Sequence, residues 1–177
     1  MSEHGSPELA GAALETAGAA HRRMLAAGLT CATAESLTGG LIGAHLTAVP
    51  GASATYRGGF VTYATDTKAT LLGVPEDLLE AEGAVHPDVA AHMARAARRL
   101  AGADLGVAVT GVAGPEPQGG QPVGTVYAAV AGTGREPRVE RFRFTGDRSG
   151  IRYRTVEGAL AVLAAVVHDE VSETTPD

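Results

Sequence analysis

The sequence predicts an α/β fold in which helices are layered on a mixed, partly antiparallel sheet. Segments with apolar residues at helical spacing alternate with short apolar runs of strand length, the order expected of a layered α/β domain. Three strand-like runs, at residues 105–110, 123–131 and 139–144, follow one another closely, so part of the sheet must pair antiparallel. Hydrophobic residues make up 45% of the 177 and there is no Trp. That is ample aliphatic material for one core, and the length suits one domain.

Residues 7–27 place Leu9, Ala13, Ala17, Ala20 and Met24 at helical spacing, and Gly28 stops the helix. Residues 29–34 read as a short buried strand, and residues 39–48 as a helix closed by Pro50 and Gly51. After Gly58 and Gly59, residues 60–63 form a strand ending at Tyr63, and Lys68 opens the next helix, over 67–72. A second short helix spans 76–82. Pro87 starts a helix that runs to Leu100 with Arg95, Arg98 and Arg99 on its polar side. Residues 105–110 are an apolar strand ending in glycine turns, followed by a strand over 123–131. In residues 139–144, Val139, Arg141 and Arg143 alternate with Glu140, Phe142 and Phe144, as in a half-exposed edge strand. Residues 149–169 form the last helix, apolar on most faces near Leu160 to Val167 and therefore well buried. The polar ends, 1–6 and 172–177, are expected to fray, leaving an ordered core of about 7–170.

Composition excludes several classes of function. The net charge is −6 and the isoelectric point about 5.5, which argues against a general nucleic-acid binder. The single Cys31 excludes an internal disulfide and a cysteine zinc site, and fits a reducing compartment. The six histidines show no metal-ligand spacing, so neither a metal nor a cofactor is expected. Glu3, Glu8 and Glu15 near the start form no signal-peptide pattern, and the longest apolar run, Ala159 to Val167, is about half a membrane span. A cytoplasmic protein is expected, without nucleic-acid or membrane partners. The edge strand and the apolar last helix are compatible with a homodimer.

Thirteen of the fourteen basic residues are Arg, and the exception is Lys68. Guanidinium stays charged, whereas an ammonium loses its proton readily on burial, so a retained Lys marks a candidate base. Three segments carry the chemistry around it. Ala34-Glu35-Ser36-Leu37-Thr38-Gly39-Gly40 joins a strand to a helix, where free N–H groups suit an anion or oxyanion. Ser36 lies at the turn, either as a displayed nucleophile or as an ordinary helix cap. The segment is neither G-x-S-x-G nor a P-loop. The second segment, residues 57–68, brings Tyr63 and Lys68 toward one cleft, where a neutral Lys can accept a Ser proton and a Tyr hydroxyl can relay it. In isolation, Tyr63 is equally a half-buried strand aromatic. Its spacing of five from Lys68, with no glycine-rich dinucleotide turn before it, excludes a short-chain dehydrogenase. In the third segment, Thr110 and Gly111 lead a buried strand into a Gly/Pro-rich loop through Thr125, a place where ligands dock in α/β sheets. Arg148 and Arg152 follow at the start of the last helix. Either can hold a phosphate by bidentate contacts, and Arg152 is better placed to point inward, Arg148 toward solvent.

Together AESLTGG, RGGFVTYATDTKATLLGV, EGAV, TGVAGP, PVGTV and TGDR with Arg152 resemble the CinA C-terminal domain family, over about residues 10–168. This family includes stand-alone nicotinamide-nucleotide amidases. The resemblance implies a single three-layer α/β/α sandwich and an amidohydrolase that converts nicotinamide mononucleotide to nicotinate mononucleotide and ammonia in pyridine nucleotide recycling. In larger family members this domain follows a molybdopterin-binding-like domain, which these residues do not contain. Residue by residue, it implies Ser36 as nucleophile, Lys68 as base and Tyr63 as the hydroxyl near them. Thr38, Gly39 and Gly40 match the turn that would hold the oxyanion, Thr110 and Arg152 the residues shaping the pocket. Arg152 or Arg57 would neutralise the ribose phosphate. Two departures are Leu37, where a Cys or small residue is frequent, and His86, where a Ser is usual. A His caps a helix less well than Ser, and at a pocket wall it would alter substrate preference. A nucleotide-binding module without turnover and an amidase for another small amide are the alternative functions.

Overall fold

The structure, a computed structural model, describes residues 11–173. The predicted helical residues 7–10, including Leu9, and the tails 1–6 and 174–177 lie outside the described residues. Among the described residues, six α-helices flank a five-stranded sheet. They are α1 (Gly11–Ala27), β1 (Cys31–Glu35), α2 (Leu41–Thr47), β2 (Tyr56–Val61), α3 (Thr65–Leu72), α4 (Glu76–Glu82), α5 (Pro87–Ala101), β3 (Leu105–Gly111), β4 (Thr125–Ala131), β5 (Arg138–Arg143) and α6 (Arg148–Glu173). The strand order is β2-β1-β3-β4-β5. β1 pairs parallel with β2 and β3, and β3-β4-β5 is an antiparallel run, so the sheet is mixed, as the close spacing of the last three strands predicts.

Alternation along the central strands separates the two outer layers. Leu105, Val107 and Val109 of β3 and Val126, Ala128 and Val130 of β4 face α1, α2 and α6. Ala108 of β3 and Tyr127, Ala129 and Ala131 of β4 face the layer of α3 and α5. On this face β3 presents only small residues near α5, which lies close: a Cβ on Gly106 would come within 2.0 Å of the Ala94 carbonyl oxygen. Leu160, Leu163 and Val167 of α6 are fully buried against α1 and the sheet. The apolar stretch of the last helix is therefore spent inside the chain. Truncating either leucine to Ala would cost about 2–5 kcal/mol.

The crossovers create the crevice that matters for chemistry. β1 leads into α2, which packs in the first layer, whereas its neighbour β2 leads into α3, which packs in the second. Adjacent parallel strands whose continuations leave toward opposite faces part at their C-terminal ends, and ligands bind at such switch points.

The boundaries of β2, α3 and α2 shift near this crevice, and α6 is longer than predicted. β2 begins at Tyr56, earlier than predicted, and ends at Val61, so Tyr63 lies beyond the strand. Its register is fixed by pairing with β1, which Gly58 and Gly59 join, whereas the sequence alone starts the strand after them. α3 begins at Thr65, which places Lys68 inside its first turn. Helix α2 starts at Leu41, leaving Gly39 and Gly40 as a turn with φ of +61° and +99°, a region open to glycine at little cost. α6 extends to Glu173, so residues 172 and 173, expected to fray, continue the helix.

Candidate active site

β1 is buried along its whole length and delivers Glu35 and Ser36 to the crevice. A carboxylate at the end of a buried strand must find hydrogen bonds or it destabilises the fold. Glu35 finds three. It accepts the N–H groups of Gly40 (3.0 Å), Ile42 (3.0 Å) and Gly43 (2.8 Å). It thus caps α2 from the preceding strand, in place of a side-chain cap from Gly40, which has none. This clamp fixes the path of the Ser36–Gly40 turn.

The clamp also corrects the expected oxyanion donors. Gly40 N–H is taken by Glu35, and Gly39 N–H donates to the Ser36 carbonyl (3.0 Å). The N-terminus of α2 already faces a buried carboxylate and does not present these groups to a second anion. Among the described residues, the N–H groups of Leu37 and Thr38 have no hydrogen-bond acceptor. Thr38 is fully buried and its hydroxyl has no hydrogen-bond partner among the described residues.

Among the described residues, Lys68 is the most voluminous fully buried side chain, only 1% exposed. Its Nζ donates to the Thr62 carbonyl (2.7 Å) and to Ser36 Oγ (3.1 Å). Both bonds go to uncharged oxygens. Burial accordingly pushes the Lys68 pKa down from 10.5 to about 8, while Asp66 nearby pulls in the other direction. A neutral amine is accessible near neutral pH, within one hydrogen bond of a serine hydroxyl that is itself largely buried.

A cavity of about 110 Å³ opens onto this pair, lined by Ser36, Lys68, Thr110, Gly111, Tyr63 and Arg148 among others. The Thr110 hydroxyl is committed, donating to the Ala84 carbonyl at 2.6 Å and holding the segment before α5 against the cavity wall. Gly111 cannot carry a side chain, because its Cβ would come within 2.7 Å of the Thr125 carbonyl on β4. Tyr63 is 58% exposed at the rim. Its hydroxyl accepts from Arg148 Nη2 at 2.5 Å, while Arg148 Nη1 donates to the Gly114 carbonyl at 2.6 Å. Arg148 therefore straps two loops across the mouth of the cavity.

The two other arginines stand elsewhere. Arg152 does point inward, but its guanidinium is used on the turn, donating to the carbonyls of Leu37 and Thr38 at 2.9 Å each. It does not line the cavity. Arg57 sits near the start of β2, at the opposite end of the sheet from Ser36, and donates to the Ala101 carbonyl (2.6 Å). Extended strand geometry separates it from the crevice, which lies past the other end of the same strand. His86 caps α5, its Nδ1 accepting from Asp88 N–H at 3.3 Å, and does not line the cavity. The sequence alone gives Glu35 no role and leaves Arg148 open between holding a phosphate and facing solvent, with solvent favoured. The signal for Glu35 was available, a lone carboxylate closing a run of otherwise small, buried residues. Among the described residues, no group of three or more His, Cys, Asp or Glu is gathered so as to hold a metal ion.

Known proteins share this arrangement of strands and helices. The CinA C-terminal domain family matches residues 14–167. The chain belongs to that family. A CinA-like protein of Frankia casuarinae is 50% identical over 150 residues, covering 82% of this chain and 34% of that protein. Another, of Geobacter sulfurreducens, is 53% identical over 136 residues, covering 75% and 32%. The chain thus spans about a third of the length of these curated relatives. Among solved structures, a competence/damage inducible protein of Agrobacterium tumefaciens superposes with a TM-score of 0.87 at 37% identity, covering 91% of this chain and 99% of that one. A CinA superfamily protein of Klebsiella pneumoniae gives 0.85 at 34% identity, covering 89% and 98%. The α/β fold of this CinA-family chain is that of these structures. No helix among its described residues is long and apolar enough to cross a membrane.

Proposed function

We propose that this CinA-family chain is an amidohydrolase that deamidates nicotinamide mononucleotide to nicotinate mononucleotide and ammonia, with Ser36 as nucleophile and Lys68 as base. The observation that carries the reading is the buried Lys68 Nζ, 3.1 Å from Ser36 Oγ, with its pKa lowered to about 8. A nucleophile and a base within hydrogen-bond reach, the base held near its working pKa by burial, form a unit for acyl transfer. The substrate is taken from the resemblance of the site motifs to the nicotinamide-nucleotide amidases.

Neutral Lys68 takes the Ser36 proton as Oγ attacks the carboxamide carbon. The carbonyl oxygen becomes an oxyanion facing the uncommitted N–H groups of Leu37 and Thr38. The Lys68 ammonium then returns its proton to the departing nitrogen, which leaves as ammonia. Water, deprotonated by Lys68, attacks the acyl-Ser36 ester, releasing the carboxylate and restoring the hydroxyl. Thr62 O anchors Lys68 through both steps. Arg148, and not Arg57 or Arg152, is the guanidinium at the cavity mouth and would meet the ribose phosphate, with Tyr63 beside it.

One observation favours a second reading. At about 110 Å³ the cavity is below the roughly 300 Å³ at which ligand sites usually begin. It admits a carboxamide ring only partly unless the Arg148 strap opens, so a smaller amide is the competing substrate. Incubation with nicotinamide mononucleotide and an ammonia assay decides between them. Release by the wild type and none by Ser36→Ala supports the proposal. No release by folded wild type, with release from a smaller amide, transfers the site to the second reading.

A further inference from the structure

At the end of the sheet away from Ser36, a groove of about 650 Å³ runs along α5 and contains no acidic residue in its lining. Arg95, Arg98 and Arg99 of α5 and Arg135 after β4 line it, with His92 one turn before Arg95. Arg57 reaches its edge, since a Cβ on Gly102 would lie 3.7 Å from Arg57 Nη2. The concentration is unusual for a chain with net charge −6. We infer that this groove is a binding site for a small polyphosphate ligand of the nucleoside triphosphate class.

Three features specify that ligand. First, the guanidiniums are only partly neutralised. Arg95 pairs with Glu136 at 2.5 Å and Arg135 with Glu170 at 3.9 Å. Arg98 donates to the Asp104 carbonyl and the Thr133 hydroxyl, both uncharged. The Arg99 side chain makes no hydrogen bond or ion pair with any described residue and is exposed. Placing Arg98 and Arg99 in the last turn of α5 suits the helix dipole, but Arg95, Arg135 and Arg57 have no such reason to gather here. Secondly, Arg95 and Arg99 are one turn apart, about 6 Å along the helix axis. Guanidiniums so spaced can engage successive phosphates of one chain at once. Planar guanidiniums match phosphate oxygens bidentately. Thirdly, Gly73, Gly102 and Gly132 withhold side chains from the lining, and the volume falls within the range of small-molecule sites. No aromatic side chain lines the groove to stack on a base, so phosphate contacts dominate and the base contributes little.

The test is titration calorimetry on the full chain with ATP, tripolyphosphate and AMP in a chelator-containing buffer at low salt. ATP and tripolyphosphate should bind comparably and AMP much more weakly. In Arg95→Ala/Arg99→Ala, with folding checked by circular dichroism, ATP affinity should fall about ten-fold or more. Affinity should also fall steeply with added salt, as expected for exposed charges. Arg148→Ala, at the Ser36 cavity, should leave ATP binding unchanged. Absence of ATP binding at millimolar concentration would overturn the inference. So would equal binding by the double variant, or loss of binding in Arg148→Ala instead. None of these readouts uses ammonia release, so the amidase proposal stands or falls separately.

Discussion

Replacing Lys68 with Met should leave an inactive protein and abolish one component of its stability-versus-pH curve. Met fills the space of the Lys stem but has no titrating nitrogen. In the folded chain the Lys68 pKa is lowered from 10.5 to about 8 because burial disfavours the ammonium. The unfolded chain therefore binds the proton more tightly, and stability rises with pH wherever the two states differ in protonation. The cost of burying the ammonium is fully present below about pH 8 and fades as pH rises toward the unfolded value. A shift of this size corresponds to about 3 kcal/mol at neutral pH, of which about 2 kcal/mol is recovered by about pH 9.5. Burial also raises the Tyr56 pKa and pushes that of Cys31 to about 12, which lowers stability at alkaline pH. Both groups are present in wild type and variant, so their effect cancels in the difference. The assay is urea unfolding of both chains from neutral pH to about pH 9.5. Wild-type stability relative to Lys68→Met should climb by about 2 kcal/mol. A flat difference would mean that Lys68 keeps an ordinary pKa, and the base role would fail with it. Ammonia release by the wild type should rise about ten-fold from about pH 7 to about pH 9, as the neutral fraction grows from about a tenth to about nine-tenths.

Glu35→Gln keeps the shape but sets an amide N–H₂ against backbone N–H donors, so it should cost about 2 kcal/mol or more in urea unfolding. It should also depress turnover, and wild-type stability in this variant would refute the clamp on the Ser36 turn. Arg148→Ala and Arg152→Ala should separate kinetically. The first removes a group at the cavity mouth and should raise KM for nicotinamide mononucleotide about ten-fold with a smaller change in kcat. The second frees the Leu37 and Thr38 carbonyls, so it should lower kcat and thermal stability more than it raises KM. The reverse pattern would assign the phosphate to Arg152 after all.

Much of this arrangement is legible in the sequence. Layering of helices on a mixed sheet follows from the order of periodic segments and from the three closely spaced strands, because hydrogen-bond saturation leaves few other ways to bury such runs. Lys68 is conspicuous as the single lysine, and Ser36 as a hydroxyl at a strand-to-helix turn. Their meeting 32 residues apart was an expectation from motif resemblance, and the 3.1 Å contact places them together. The arginines were less legible. Arg148 and Arg152 are one helical turn apart and share a helix face, and only the place of Arg152 further inside the helix favours it as the inward one. It is inward, but it binds the turn backbone, whereas Arg148 reaches over the cavity from the first residue of α6.

The sequence by itself determined the layers, the helix stops at glycine, the fully buried central strands and which residue types were fit for proton transfer, since each depends on local periodicity or intrinsic side-chain chemistry. Tertiary structure alone decided which backbone N–H groups Glu35 consumes, which arginine faces the cavity and how far the Lys68 pKa falls. These depend on distances of a few ångströms between segments far apart in the chain, and on the water that packing excludes from around them.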